Sequence, residues 1–429
     1  MTGIQFDPIR PELRANPYPA YAELRRHSPV HRIESSGVYA ISRYRDVLFA
    51  LRRPDLFSSS AMLTVLTAGF TGGGGNLGMG FSGTDAARLG ALLQQLPIKI
   101  PEFLASRSLI AADPPVHGPM RSLVNRGFTP RRIAALEPRI REIARNALAA
   151  VEEKGEFDLV EDLAIPLPVT VIAEMLGVET ERHADFKRWS DCIVSGITGA
   201  AEGMRPETLL HAFAELSEYV TRVIEERRAQ PREDLISTMI LAGEGETALS
   251  PVEVMGFTLL LLVAGNETTT NLLGNATLAL LDHPDQLARV QQNPGLVPSL
   301  VEETLRYDPP AQFVYRKVTG DVELAGTLIP EGSTVMPLLA SANRDDAQFP
   351  NAAQFDVTRD SQGHLGFGLG IHFCLGASLA RLEARVALEE LLARFHALEG
   401  TDPAVEYIDS YLVRGPRRLP LRFELASRR

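Results

Sequence analysis

This 429-residue chain has two cysteines, Cys192 and Cys374, and the second sits where chemistry can be placed. Cys374 follows Phe367, Gly368, Leu369, Gly370, Ile371, His372 and Phe373, and precedes Leu375 and Gly376. Behind it the apolar positions Leu379, Leu382 and Val386 recur at helical spacing. Glycine lets a backbone take positive φ and come close to a ligand. A helix start near the sulfur offers free N–H groups and partial positive charge, which favour thiolate. A single thiolate on a tight loop is suited to hold one metal atom from one side. Taken alone, such a cysteine is more often a buried structural thiol. A core cysteine, however, needs neither Gly368 and Gly370 nor His372 upstream.

Three more groupings carry charge or hydroxyls at telling spacings. Ala264, Gly265, Asn266, Glu267, Thr268 and Thr269 interrupt an apolar run, and a buried carboxylate is costly unless partnered or useful. The plain alternative is a kinked helix with threonines bonded to their own turn. His117 and Arg121 lie four apart and share one helix face, where two donors could meet carboxylates; a solvated basic pair is the bland reading. Glu303 and Arg306, three apart, can pair along a helix.

These groupings occur in the order in which cytochromes P450 carry them. Phe-Gly-x-Gly-x-His-x-Cys-x-Gly over residues 367–376 resembles that family's haem-binding loop, and Ala-Gly-x-Glu-Thr over 264–268 resembles its oxygen-binding groove. His-x-x-x-Arg at His117 and Arg121 resembles the C helix, and Glu-x-x-Arg at Glu303 and Arg306 the K helix. The chain resembles the soluble bacterial branch over nearly its whole length. The resemblance implies a haem b whose iron is held by Cys374, with Gly376 closing the loop. It implies that His117, Arg121, Arg316 and His372 meet the haem propionates, and that Ala264 and Gly265 leave space above the ring. Glu267 would belong to the proton relay, while Thr268 would hold a water or donate to bound dioxygen. Thr269 and Thr270 leave the register open; Thr268, directly after the acid, is the expected member. Arg359 is the expected third partner of Glu303 and Arg306, and His364 is expected to fix the loop. Phe313 and Val314 are candidate pocket walls; Met204 and Phe213 could face substrate but read first as ordinary packing.

The implied activity is a monooxygenase. It takes electrons, ultimately from NAD(P)H, through a ferredoxin and its reductase, and hydroxylates or epoxidises a hydrophobic small molecule: a secondary metabolite, terpenoid, steroid or fatty acid. A peroxide-driven peroxygenase is the alternative, weakened by the Glu267–Thr268 pair; a non-catalytic haem sensor is another.

Elements must position these residues. The implied fold is mainly α with smaller β sheets, a helix-rich lobe plus a small β-rich lobe, forming one domain over 1–429. Ser250, Pro251 and Glu253 form a helix-start signature for a long helix over 250–283. Prolines 166 and 168 are expected to break a helical stretch over 131–176, and glycines 196, 199 and 203 to mark a loop over 195–205. Residues 61–112, with the glycine-rich run 71–80, read as an extended mobile lid loop, with a disordered insertion as the competing reading. Strands are expected over 311–316, 321–327 and 334–339, and a β-hairpin over 407–423, with the thiolate loop at 364–376.

Composition bounds the rest. Acidic residues outnumber basic ones 54 to 43, for a net charge of −11, which disfavours nucleic acid as a partner. Two cysteines make no disulfide scaffold and fit a reducing compartment, hence a cytoplasmic expectation. No apolar run approaches the ~20 residues of a membrane span, and the first residues lack a signal-peptide core.

Overall fold

The computed structural model describes residues 6–62, 97–198, 206–241, 248–402 and 404–425. The glycine-rich run 71–80, Met204, Gly199 and Gly203 lie outside these ranges. In chain order the main elements begin with α1 (Tyr18–His27), β1 (Val30–Arg32), β2 (Tyr39–Ile41), α2 (Tyr44–Arg52) and β3 (Phe57–Ser58). There follow α3 (His117–Asn125), α4 (Glu137–Ala149), β4 (Glu156–Asp158), α5 (Pro166–Leu176), α6 (His183–Thr198), α7 (Pro206–Ala229) and α8 (Leu235–Leu241). The chain continues through α9 (Pro251–Asp282), α10 (Pro284–Gln292), α11 (Val297–Tyr307), β5 (Arg316–Val318), β6 (Val322–Leu324), β7 (Thr327–Ile329) and β8 (Thr334–Pro337). It closes with α12 (Ala377–Arg394), β9 (Phe395–Gly400) and β10 (Pro420–Leu425). The described residues fall into two compact units, one of 1–58, 130–168 and 267–429, the other of 59–129 and 169–266.

The first unit holds every one of these strands. Its larger sheet runs β1-β2-β8-β5-β3, with β2 and β8 parallel and the other pairs antiparallel. Val30, Ile41, Val47, Phe57, Val318, Val335 and Leu365 form one core on it, so the loop carrying Cys374 is rooted in the sheet through Leu365. A smaller sheet, β4-β10-β9, gathers the chain's end.

A buried ion pair locks the frame. Arg306 and Glu303 on α11 are fully buried. Arg306 donates twice to Glu303 (2.8 and 2.7 Å) and to the carbonyls of Asn343, Ala352 and Gln354 at 2.8–3.0 Å, using all five guanidinium N–H groups. Glu303 also accepts from Ser361 Oγ (2.6 Å), the Asp356 amide (3.0 Å) and, as expected, Arg359 Nε (3.3 Å).

The second unit is helical. Trp189 on α6 is fully buried, donates Nε1–H to Glu215 on α7 (2.7 Å), and lies beneath the Arg182 guanidinium. Phe213, a candidate substrate contact, is 1% exposed and meets Phe103 edge-on, so it packs.

Helix α9 runs 32 residues, about 48 Å at 1.5 Å per residue. Its start is capped as the sequence indicates: the Ser250 amide donates to Glu253 (2.8 Å), and the Glu253 amide to Ser250 Oγ (3.3 Å). Arg107 adds a donor to the same carboxylate at 2.9 Å.

Several expectations shift. Pro166 does not break a helix; it opens α5, in the first turn where a missing N–H costs nothing, and the break lies earlier, at β4 and a single π turn. Helix α6 runs through Gly196 to Thr198, past the expected loop start. Over 311–316 only Arg316 enters a strand. The preceding amides alternate between partners, Gln312 donating to Leu412 O and Val314 to Pro337 O, so no ladder forms. The hairpin over 407–423 is shorter, closed by Ile408 to Gly415 and Arg417 to Glu406 amide–carbonyl bonds, after which the chain leaves as β10. Phe313 is 1% exposed and stacked on Tyr411 in a core with Tyr21 and Leu24, not a pocket wall.

Replacing Arg306 by Lys leaves one donor group where five N–H groups served. Expected is a loss of about 3–5 kcal/mol of unfolding free energy in urea titrations; an unchanged midpoint would refute the frame role of this pair.

Candidate functional site

The cysteine loop is held at every step by backbone and charge. Leu365 donates its amide to Asn343 Oδ1 (2.6 Å), while Asn343 Nδ2 donates to Leu305 O (3.1 Å). A Cβ on Gly366 would stand 2.5 Å from Leu305 O, and one on Gly370 would stand 2.6 Å from Leu51 O. Gly370 also has φ +75°, so only glycine passes here without strain. The Cys374 amide donates to Phe367 O at 3.0 Å, folding the loop back on itself. Three residues later α12 begins, with Gly376 as its cap residue accepting from the Ala380 amide (2.8 Å). Cys374 keeps partial exposure, and Phe373 beside it is exposed.

His364 does fix the loop. Its Nδ1 accepts the Gly366 amide (3.1 Å), which places the ring proton on Nε2, 3.1 Å from Glu302. Arg381 on α12 grips the same carboxylate at 2.6 and 3.0 Å and covers the Phe367 ring at 4.6 Å. Burial works against ionising Glu302, but the bonds from His364 and Arg381 outweigh it and hold its pKa at about 2. This clamp and the Asn343 bridge were not read from sequence. Glu302 and Arg381 stand next to recognised motifs, yet nothing in their spacing shows that they meet.

The middle of α9 carries the second group of expected residues. From Thr269 to Leu280 every residue is buried. Just before, Ala264 is exposed, and Gly265, Glu267 and Thr268 are partly exposed. A Cβ on Gly265 would meet no atom of the described residues within 4 Å. Glu267 is deeply set, and desolvation pushes its pKa up to about 7. Thr270 Oγ1 donates to Ala164 O (2.8 Å), Thr269 bonds Glu383, and Thr268 is partly exposed.

Of the expected basic residues, Arg316 is buried on β5 with Nη1 donating to Tyr315 O (2.7 Å), and His372 sits in a short turn two residues before Cys374. His117 and Arg121 do share α3 despite Gly118 and Pro119. His117 is 3% exposed, and burial with the nearby Arg121 charge pushes its pKa down; an anion beside it would relieve both effects. Arg316, His372, Cys374, Glu267 and Thr268 belong to the first unit; His117, Arg121, Ala264 and Gly265 belong to the second.

Within the first unit, one thiol at a helix start with His372 and Arg316 makes a donor set whose chemistry suits a haem and its carboxylates. A model of the cytochrome P450 family matches residues 206–423. Cytochrome P450 monooxygenase PikC of Streptomyces venezuelae is 37% identical over 421 residues, covering 96% of this chain and 92% of that protein. The chain belongs to the cytochrome P450 family. Among solved structures, cytochrome P450 CYP109Q5 from Chondromyces apiculatus has a TM-score of 0.84 and 42% identity, covering 99% of this chain and all of that one (100%). The corticosterone complex of CYP109E1 from Bacillus megaterium has a TM-score of 0.80 and 37% identity, covering 96% of this chain and 99% of that one. The P450 fold is thus present, mainly helical with small sheets, and the enzyme is a P450 monooxygenase of a haem-thiolate family. No helix among the described residues is long and apolar enough to cross a membrane.

Glu383, on α12, is a charged residue this P450 buries that sequence reasoning passed over. It lies on the stripe of Leu379, Leu382 and Val386, where a carboxylate should have stood out. Burial pushes its pKa up to about 8 against a weaker opposing bond from Thr269. A folded pKa above the unfolded one means the native state binds the extra proton. Stability is therefore fullest below about pH 4.5 for this group and falls as pH rises towards 8. The Glu383→Gln variant should flatten that part of the thermal midpoint–pH curve; a curve superimposable on wild type would contradict the shift. Replacing Cys374 by Ser should abolish the thiolate signature of the reduced, carbon monoxide-treated protein; its survival would exclude Cys374 as iron ligand.

Proposed function

We propose that this P450 uses two electrons from a ferredoxin and its NAD(P)H-dependent reductase to hydroxylate or epoxidise a hydrophobic small molecule, with a steroid as the first class to test. For hydroxylation the balance is R–H + O2 + 2 e− + 2 H+ giving R–OH + H2O, so two protons must be delivered per turnover. The steroid class rests on the relative that binds corticosterone. Exposed Arg126 and Arg131 favour an acidic electron donor.

The observation that carries this reading is Glu267. Desolvation pushes the pKa of the Glu267 carboxyl up to about 7 beside a partly exposed hydroxyl, which suits it to exchange a proton near neutral pH. When bound, haem supplies the chemistry of oxygen reduction and insertion, and Cys374 would hold its iron. Arg316, His372, His117 and Arg121 would hold its two carboxylates. Ala264 and Gly265 leave room on the open side of α9. Glu267 passes its proton to Thr268 Oγ1 or to a water that this hydroxyl orients.

In Thr268→Ala, haem content and the corticosterone-induced spin shift should stay near wild type, while the share of NADPH recovered as hydrogen peroxide rises severalfold. Unchanged peroxide would remove Thr268 from proton delivery.

A further inference from the structure

One core of the first unit is rich in phenols. Tyr18, Tyr21, Tyr315 and Tyr411 all belong to the cluster that holds Leu24, Phe313 and Met336. Tyr18 and Tyr21 meet edge-on with ring centroids 6.0 Å apart. Phe313 meets Tyr315 edge-on at 5.4 Å and stacks on Tyr411 at 6.2 Å. Tyr21 and Tyr411 line one half-open cleft, together with Gln312, Ser410 and Arg414. Packing alone does not ask for these hydroxyls. Phenylalanine fills nearly the same space, whereas a buried O–H must be given a partner. Tyr21, 2% exposed, donates to Gln312 Oε1 at 3.3 Å.

What a phenol adds to a ring is one-electron oxidation, provided that its proton has somewhere to go. Tyr18 has that outlet. Its hydroxyl donates to Asp308 Oδ1 at 2.5 Å, and Arg414 Nε holds the same carboxylate at 3.1 and 3.3 Å. Burial, with the Asp308 charge, pushes the Tyr18 pKa well above the usual phenol value. The proton therefore does not leave in advance; it must go with the electron. At the other end of the core stands Tyr315. It precedes Arg316, whose Nη1 donates to Tyr315 O at 2.7 Å, and Arg316 is the residue read above as meeting a haem carboxylate.

We propose that Tyr315, Tyr411, Tyr21 and Tyr18 form a relay that drains oxidising equivalents from the haem site when oxygen has been reduced but no substrate is hydroxylated. The relay rests on the haem site proposed above at Cys374 and Arg316. Tyr18 sends one electron inward, its O–H bond breaks, and the proton passes to Asp308. A soluble thiol then returns the electron, and Asp308 returns the proton. Two such passages complete the balance O2 + 4 e− + 4 H+ giving 2 H2O. Two of these electrons come from NAD(P)H, and two from 2 R′SH giving R′S–SR′ + 2 e− + 2 H+.

The test uses haem-loaded wild type, Tyr18→Phe, Tyr315→Phe and, as a control in a different core, Tyr39→Phe on β2. Hydrogen peroxide, which delivers the same oxidising equivalents, is added without substrate, and samples are frozen for electron paramagnetic resonance. A tyrosyl signal is expected in wild type and Tyr39→Phe, and should fall severalfold in Tyr18→Phe and Tyr315→Phe. Glutathione, the thiol probe, should lengthen the life of the haem absorption band severalfold in wild type and much less in Tyr18→Phe. A tyrosine that only packs would move neither readout, since the ring is kept. Equal signals in all four proteins, or equal glutathione protection in wild type and Tyr18→Phe, would overturn the relay. If Tyr315→Phe fails to fold, the Tyr18→Phe comparison decides alone. A wild-type protein that takes up no haem would overturn the haem reading and the relay with it; one that takes up haem but forms no tyrosyl signal would overturn the relay alone.

Discussion

The frame depends on one constraint: a charge taken out of water must have every hydrogen-bonding position filled. Arg306 meets it with five donors, two on Glu303 and three on the carbonyls of Asn343, Ala352 and Gln354. Asn343 and Gln354, whose carbonyls it binds, and Asp356 and Ser361, which bind Glu303, thereby come to one point. Asn343 then carries the fixed geometry to Leu365 and the cysteine loop. The pair's value is less its net energy than the convergence it enforces, because a partial set of partners would leave an uncompensated charge.

From this frame the chemistry follows by short steps. Leu365 roots the loop in the sheet core, Gly366 and Gly370 admit neighbouring carbonyls, and His364 with Arg381 ties loop, α11 and α12 through Glu302. The same low-polarity setting that makes Arg306 demanding raises the pKa of Glu267. Here the shift suits proton transfer, whereas at Glu383 it keeps a carboxyl neutral within a helix interface.

Much of this was legible in the sequence because it is local. The 367–376 loop, the Ser250–Glu253 cap and the Glu303–Arg306 pair are set by spacings of three to nine residues, and each formed as read. What was not legible joins residues far apart: Glu302 to Arg381, Arg107 to Glu253, Asn266 to Ser190. Periodicity shows which face is buried, not which partner it meets. The stretch 311–316 shows the complementary error. Its composition suits a strand, but its amides find partners in two different segments, so extended backbone forms without a ladder. Pro166 was misplaced for a related reason: proline breaks a helix interior yet opens a helix readily, and only the preceding strand decides between them.

Gly265 has one more implication. No neighbour among the described residues forbids a methyl group there, and alanine would strengthen the helix by roughly 1 kcal/mol. The folded polypeptide on its own would therefore favour alanine. Glycine at this position forgoes that stability, and the proposed haem site supplies a reason: clearance kept for a guest the polypeptide does not itself encode.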